Sequence, residues 1–463
     1  MIAVVVSRAD RASEHVGERL LALADWTEHE DDARPDANGG GTYHRTTVAG
    51  TGIERRAFDD LHIYLDDPVP AFSERPEFLV FVSRHSGDTG PLLTCHFTGN
   101  FGAAEYGGAD GSFAPACPGV QRALVEGFHE HAPGGYDVAI ECTHHGPTDV
   151  SVPSLFAELG SDEAEWDDPD GAAAVARAVL DLPERDATES VGDPDDPRHL
   201  VGFGGGHYAP RFTRVVEGTE WGVGHVASDW QLDELGPPQE RRDVLADAFA
   251  ASGARFTMLD GEHPALERAL AALAESSDGP DVRVVSETWV REVGDRPLDL
   301  VASLEADLRS VDEGLRFGAS RATEYEVREF PADLLAEAQG VDAGATRAAV
   351  TERTVAFETN ENGTRAAGSA AFPSPATGDA TAARDGLIGD LASVLGEKYD
   401  EVTRTDGAVV ARVAAFDPAA AAELGVPEGP KFGRLAGGSA VEVDGETVGP
   451  GDVTREREER FPV

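Results

Sequence analysis

Asp137-Val138-Ala139-Ile140-Glu141-Cys142-Thr143-His144-His145-Gly146-Pro147-Thr148 is the stretch on which the reading of this chain turns. Through Cys142 it has the short apolar core of a β-strand, and then a doubled histidine and the Gly146-Pro147 break mark a loop. The same arrangement recurs on both sides of it. Ser83-Arg84-His85-Ser86 closes the apolar run Phe78–Ser83, and Thr94-Cys95-His96-Phe97 closes Leu92–Phe97. Further on, Gly204-Gly205-Gly206-His207-Tyr208-Ala209-Pro210 follows Leu200–Phe203, and Gly224-His225 lies near the end of Trp221–Val226. In open α/β sheets, ligands gather beyond the carboxyl ends of the strands. Histidines delivered to several strand ends are therefore expected to converge in one crevice.

Imidazole suits such a crevice, because its neutral form binds zinc and its ordinary pKa lies near neutrality. The candidate metal ligands are His85, His96, His144, His145 and His207, of which a subset would hold the ion. Glu141 lies two residues before Thr143, so on a strand the two share a face while Cys142 points away. A carboxylate there can ligate metal, orient a histidine or act as a general base. A lone histidine is more often a satisfied core group, but the pair His144-His145 beside Glu141 reverses that expectation. Gly204, Gly205 and Gly206 remove every side chain where strand meets loop, permitting close approach of a ligand to backbone N–H groups. With Tyr208 and Arg211 they make a candidate wall for phosphate, ribose or carboxylate. No Walker loop, no His-Glu-x-x-His helix and no Gly-x-Ser-x-Gly elbow is present. The residues point to metal-assisted hydrolysis of a non-standard type.

Outward from these motifs, strand-like and helix-like periods alternate. Strands are expected at Ile2–Val6, His62–Leu65, Phe78–Ser83, Leu92–Phe97, Asp137–Cys142, Leu200–Phe203, Trp221–Val226, Arg255–Leu259 and Val282–Ser286. Helices are expected at Ala9–Leu23, Pro118–His129, Ala172–Leu182, Glu240–Ala251 and Pro264–Ala274. That alternation predicts an α/β domain over residues 1–290, with a mostly parallel or mixed central sheet covered on both faces. Residues 291–463 have no histidine and many small residues, and are expected to form a smaller C-terminal α+β extension. Helices are expected there at Leu298–Ser310 and Ala383–Leu395, with Gly429–Leu435 as a loop-to-strand element.

Composition narrows the setting. There are 86 acidic against 38 basic residues, a formal net charge of −48, and Lys398 and Lys431 are the only lysines. The acids punctuate periodic apolar segments and do not gather in a tail, as expected of a folded halophilic protein in multimolar salt. Charge repulsion is screened there within ~3 Å at 1 M. Such acidity argues against phosphate-driven nucleic-acid binding, but not against short-range arginine pairs, stacking or shape. Cys95, Cys117 and Cys142 are too few and too far apart for a disulfide framework, which points to a reducing cytoplasm. The apolar runs are far too short to span a bilayer, so no membrane partner is expected.

Taken together, the motifs resemble the archaeal-type D-aminoacyl-tRNA deacylase family. The resemblance rests on Ser7 through Ser13, Ser83 through Ser86, Thr98-Gly99-Asn100, Tyr106-Gly107-Gly108, Thr143 through Thr148, Glu158 through Ser161 with Glu165-Trp166, and Gly204 through Pro210. It covers residues 1 to about 290, with the motifs in family order. It implies a phosphorylase/hydrolase-like α/β sandwich, dependence on zinc with one or two ions per chain, and hydrolysis of the ester of D-aminoacyl-tRNA. Free D-amino acid would be released and mischarged tRNA recycled, a proofreading role for a cytoplasmic monomer. It also implies catalytic roles for Glu141, His144, His145 and Thr148, and substrate binding by Asn100, Gly204, Gly205, Gly206, Tyr208 and Arg211. Two rivals stand beside it: another zinc peptidase, amidase or esterase on the same scaffold, or a non-catalytic tRNA- or nucleotide-binding protein with structural zinc.

Overall fold

Ile2–Ser7, apolar without alternation, forms strand β1 inside a sheet and is buried along its whole length. The computed structural model describes residues 1–463 apart from 186, 189, 277–279 and 375–379. Helix α1 (Arg11–Leu23) follows, its first turn capped by the Asp10 carboxylate, which accepts from the Ala12 and Ser13 amides. Strands β2 (Thr27–Asp31), β3 (Gly41–Val48) and β4 (Thr51–Phe58) form an antiparallel meander, and β4 then pairs in parallel with β1. Next come β5 (Phe78–Arg84), β6 (Leu92–His96), helix α2 (Pro118–His131), β7 (Asp137–Ile140) and β8 (Ser154–Gly160). The eight strands lie in the order β2-β3-β4-β1-β5-β8-β6-β7. β5 runs parallel to both β1 and β8, whereas β6 runs antiparallel to β8, so the sheet is mixed.

Helices α3 (Glu163–Trp166) and α4 (Pro169–Leu180) follow, with α4 packed on α1 and α2. After a short ribbon, β9 (Gly192–Asp193) with β10 (Asp196–Pro197), the chain builds a second sheet. It comprises β11 (His199–Gly204), β12 (Gly222–Ala227), β13 (Phe256–Asp260) and β14 (Arg283–Val284), all parallel, in the order β12-β11-β13-β14. Right-sized helices separate these strands: α5 (Pro210–Gly218), α6 (Asp229–Leu235), α7 (Arg242–Ser252) and α8 (Pro264–Ala274), with α9 (Glu287–Val293) after the last. Phe203, Phe249, Leu245 and Leu270 form its core with Phe101 from the first half of the chain.

The chain divides into two compact units, Met1–Asp295 and Arg296–Val463. The second is α+β. One antiparallel sheet contains Leu315–Phe317, Tyr325–Glu329, Ala356–Asn360 and Arg365–Pro373, and another contains Glu401–Thr405, Ala408–Phe416 and Thr454–Pro462. Helices Ala332–Val341, Ala343–Arg353 and Ala380–Leu395 supply its main core. Among the described residues, no helix is long and apolar enough to cross a membrane.

Two expected strands are absent. His62–Leu65 contains a single 3-10 turn, His62–Tyr64, because only the His62 ring is buried deeply, edge-on to Phe81 and Phe156. Gly429–Leu435 contributes to a short helix, Pro430–Ala436, with Pro430 in the first turn where its missing N–H costs nothing. The meander β2–β4 and the interior strand β8 were not foreseen.

Candidate active site

The site is built where the peptide after β7 leaves the first sheet and joins the second. The Ile140 amide donates to Thr213 Oγ1 on α5, and the Glu141 amide to the Cys95 carbonyl on β6. The next two amides cross over. Cys142 donates to the His207 carbonyl at 2.8 Å and Thr143 to the Val226 carbonyl at 2.7 Å. The Gln231 side-chain amide, on α6, donates back to the Thr143 carbonyl. His144 and His145 are thereby fixed between the carboxyl ends of β6, β11 and β12 and the middle of β8.

Two kinds of histidine meet here, distinguished by what holds them. His96 Nδ1–H donates to the Phe97 carbonyl at 3.0 Å, His144 Nδ1–H to Cys142 at 2.9 Å, and His145 Nδ1–H to Gly146 at 2.7 Å. A carbonyl only accepts, so each ring keeps its proton on Nδ1 and leaves Nε2 as the lone-pair atom. The rings cluster tightly, with centroids 4.4 Å apart for His96–His144 and His144–His145. Burial and neighbouring rings lower His144 to about 4 and hold His145 well below its ordinary value, so both are neutral at neutral pH. His145 also adopts a left-handed backbone, φ +52°, a strained conformation of the kind concentrated at functional sites.

The other two rings rest on carboxylates. His207 Nε2 lies 2.6 Å from Glu141 Oε2, and His85 Nδ1 lies 3.2 Å from Glu141 Oε1 and 3.7 Å from Glu158 Oε2. Burial opposes charge on these rings. At His85 the two carboxylates outweigh it, and at His207 the contacts with Cys142 and Glu141 do, pushing both up to about 10. Burial would likewise raise Glu141 and Glu158, but the histidines draw both down, Glu141 strongly. The fully buried carboxylates are therefore ionised and paired, the arrangement a buried charge requires.

His96 joins the two sets. Its Nε2 is buried with no hydrogen-bond partner, while Glu158 Oε1 sits 3.7 Å away, too far to bond. Burial resists a cation at that atom and Glu158 favours one, with the balance toward positive charge. A proton or a metal ion satisfies the same field. At this site three sets of ligand atoms each lie within 4.8 Å of one another: His96, His144 and His145; Cys142, His144 and His207; and His85, Glu141 and Glu158. The first, with three nitrogen donors and one orphaned buried atom, matches a zinc site with an open position.

His85, His144, His145, His207 and Glu158 line a cavity of about 530 Å³, together with Arg84, Asn100, Tyr106, Trp230 and Gln231. This volume lies within the range of small-ligand sites, ~300–1,000 Å³.

Comparison with known proteins is decisive on kinship. Residues 72–278 match the profile of a family described as D-aminoacyl-tRNA deacylase. A protein of that name from Halorubrum lacusprofundi is 58% identical, across 100% of this chain and 97% of its own. Another from Natronomonas pharaonis is 52% identical over the full length of both, and one from Methanospirillum hungatei is 32% identical over 99% and 96%. The chain belongs to the D-aminoacyl-tRNA deacylase family. These relatives match it from end to end, so the C-terminal unit lies within their length although the family profile stops at residue 278. A crystal structure of a conserved protein of unknown function is also similar, with 29% identity and a TM-score of 0.53 over 63% of this chain and 96% of that one.

Against this family background, the residues expected from sequence fall into three groups. His85, His96, His144, His145, His207 and Glu141 do converge, and Tyr208 joins them through a 3.1 Å contact between its hydroxyl and His85 Nε2. Asn100 and Thr148 serve the loop at 106–109. Asn100 Nδ2 donates to the Gly107 and Ala109 carbonyls, and Thr148 Oγ1 accepts from the Ala109 amide. Thr148 does not line the cavity, so its place is that of a brace and its catalytic role is not carried forward. Gly204, Gly205 and Arg211 turn elsewhere. Gly204 and Gly205, both at positive φ, lie against Asp260, and the Gly205 amide is taken by Asp229 Oδ1. Arg211 contacts Asp260 and Glu287 at 3.3 Å, its charge already matched by carboxylates. Nothing lies within 4 Å of a side chain added at Gly206, so that end of the loop stays open beside the carboxylates of Asp229 and Asp260.

His225 is the satisfied core histidine that a lone histidine most often is, held between the Thr143 hydroxyl and the Ala114 carbonyl. Sequence reasoning gave Glu158 no site role. Its signal was a single carboxylate inside the apolar run Ser154–Gly160. Tyr106 stood out only within the family motif Tyr106-Gly107-Gly108 and Trp230 not at all, since their place on the rim depends on which loops meet.

Proposed function

We propose that this chain hydrolyses the ester joining a D-amino acid to the terminal ribose of tRNA, using zinc held by His96, His144 and His145. The observation that carries the reading is the set of three closely packed imidazoles, each with Nδ1 committed to a carbonyl and two of them, His144 and His145, lining the cavity, in a member of this family. Zinc in such a set supplies Lewis acidity and a nucleophile at neutral pH. The chain's own groups do the rest. Glu141 pairs with His207 and, with Glu158, with His85, and so holds positive charge in the cavity wall where negative charge develops on the ester carbonyl. Tyr208 fixes the far side of the His85 ring.

Three cysteines, all buried and none in a disulfide, suit a reducing cytoplasm, and the acidic surface suits multimolar salt, as do relatives from haloarchaea. The substrate is then the D-aminoacyl-tRNA of the cytoplasm, met by a monomer. The test is turnover of D-tyrosyl-tRNA and L-tyrosyl-tRNA in multimolar KCl, with and without a chelator, alongside zinc content. Selective D-turnover that fails on chelation and returns with zinc supports the reading. Turnover that survives complete zinc removal overturns the metal assignment, and equal hydrolysis of both stereoisomers, or of simple esters alone, overturns the substrate.

A further inference from the structure

Three aromatic side chains stand well exposed among the described residues, and all three are in one place. Tyr106 is 63% exposed, Trp230 43% and Tyr64 60%. Tyr106 and Trp230 line the histidine cavity, and the Tyr64 ring lies against Gly107 beside Ile63, another lining residue. Every other aromatic side chain among the described residues is buried or partly covered. Chance scattering of surface hydrophobics does not give this arrangement.

Each rim aromatic is also held. Tyr106 precedes Gly107 and Gly108, whose backbone conformation at positive φ and close fit against Ile63 and Thr148 leave no room for a side chain. The Tyr106 carbonyl accepts from the Gly146 amide, next to His145, and Asn100 ties down the following carbonyls. Trp230 sits between two anchors. Asp229 exchanges hydrogen bonds with Gly205, and Gln231 reaches the Thr143 carbonyl. The two rim segments abut, with Gly102 packed on Glu234 of α6.

We propose that Tyr106 and Trp230 are stacking platforms for the unpaired bases at the 3′ end of the tRNA acceptor, with Tyr64 extending the platform outward. This rests on the function proposed above. With the ester carbonyl at His144, the base of the ester-bearing nucleoside lies on the far side of its ribose, toward the rim. Charge favours stacking over phosphate contacts as the source of affinity. The chain carries −48, Glu105 and Glu234 also line the cavity, and Arg84 is the one arginine among its lining residues, which include no lysine. Every base has a π-face, and stacking survives salt that screens phosphate attraction.

The experiment uses the full chain in multimolar KCl, with uncharged tRNA bearing its intact single-stranded 3′ end and the same tRNA trimmed of that end. The intact tRNA is expected to bind about tenfold tighter. Trp230→Ala and Tyr106→Ala are each expected to weaken intact tRNA roughly 5- to 30-fold, to leave trimmed tRNA within about twofold, and to raise KM for D-aminoacyl-tRNA far more than they lower kcat. Trp230→Phe should restore most of the loss, because it keeps a ring. Affinity for intact tRNA unchanged within twofold in both alanine variants overturns the proposal. So does an effect on the ranking of D-amino acids without one on tRNA affinity, which would assign the rim to the amino-acid side chain. Failure of the wild-type chain to deacylate D-aminoacyl-tRNA would sink the functional reading, while the binding comparison would still judge the platform separately.

Discussion

His96, His144 and His145 are held by backbone carbonyls, whereas His85 and His207, in the same cavity, are held by carboxylates. Both groups are largely buried, so burial does not distinguish them. The partner does. A carbonyl fixes a tautomer and leaves Nε2 with a lone pair to offer, while a carboxylate draws the ring toward a cation that can only donate. Within one cleft the protein thus has a ligand side and a donor side, made from the same residue type.

The largest expected effect breaks the ligand side. His144→Ala or His145→Ala should abolish zinc retention and lower D-aminoacyl-tRNA turnover about a thousandfold, comparable to losing a main electrostatic stabiliser. Retained zinc with retained turnover in either variant would erase the distinction between the two sides.

His199 tests the carbonyl rule away from the cleft. Its Nδ1–H donates to the Ser252 carbonyl and its Nε2 accepts from the Val191 amide, so both atoms need the neutral ring, and burial lowers its pKa to about 4. The folded value lies below the unfolded one, so its stabilisation is present above pH 6.5 and is lost as pH falls from there toward 4. The loss should be about 3 kcal/mol, from roughly 1.4 kcal/mol per pH unit. In His199→Gln, denaturant unfolding across that range should lose that increment of slope and keep the part owed to the other buried neutral histidines, and an unchanged slope would contradict the neutral assignment.

On the donor side, Glu141→Gln keeps the shape but removes the charge shared by His85 and His207. Groups hydrogen-bonded behind a site typically contribute tenfold to a hundredfold, so kcat should fall by about that much while zinc content falls less than in His144→Ala. Equal zinc loss in the two variants would make Glu141 a ligand instead.

Smaller effects belong to the brace and the outlying arginine. Thr148→Val removes one acceptor under the 106–109 loop and should raise KM about fivefold, near 1 kcal/mol for one hydrogen bond, with little change in kcat. A thousandfold fall in kcat would return Thr148 to the chemistry. Arg211→Met should leave KM for D-aminoacyl-tRNA within about twofold, since Asp260 and Glu287 already occupy its guanidinium. A tenfold rise in KM would reinstate the glycine loop as a binding wall.

Much of this cleft could be read before any coordinates. His85, His144 and His207 were placed beyond strand ends by the switch from apolar run to polar turn, and the rule that α/β ligands gather there was enough to bring them together. Direction was less accessible. Arg211 follows His207 by four residues and looks like part of the same wall, yet it lies on α5 and points toward β13 and α9. Thr148 resembles a site residue by position, but its hydroxyl is spent on an amide. The meander β2–β4 was hidden because Thr27–Asp31 is an exposed, acidic edge strand with no apolar alternation. Glu158 was hidden because two histidines from distant segments are what make its burial tolerable.

The crossing of the peptide at Cys142 and Thr143 has a consequence for motion. Those two amides are bonded to carbonyls beyond the second sheet and in its edge strand, and the Glu141 amide just before them to Cys95 in the first sheet. Hydrogen bonds of that kind open only when the parts they join separate. Their hydrogens should therefore exchange with solvent as slowly as the core of Met1–Asp295, far more slowly than those of the 106–109 loop. The ligand-bearing peptide would act as a rivet, and the loops around it would supply whatever movement substrate entry requires.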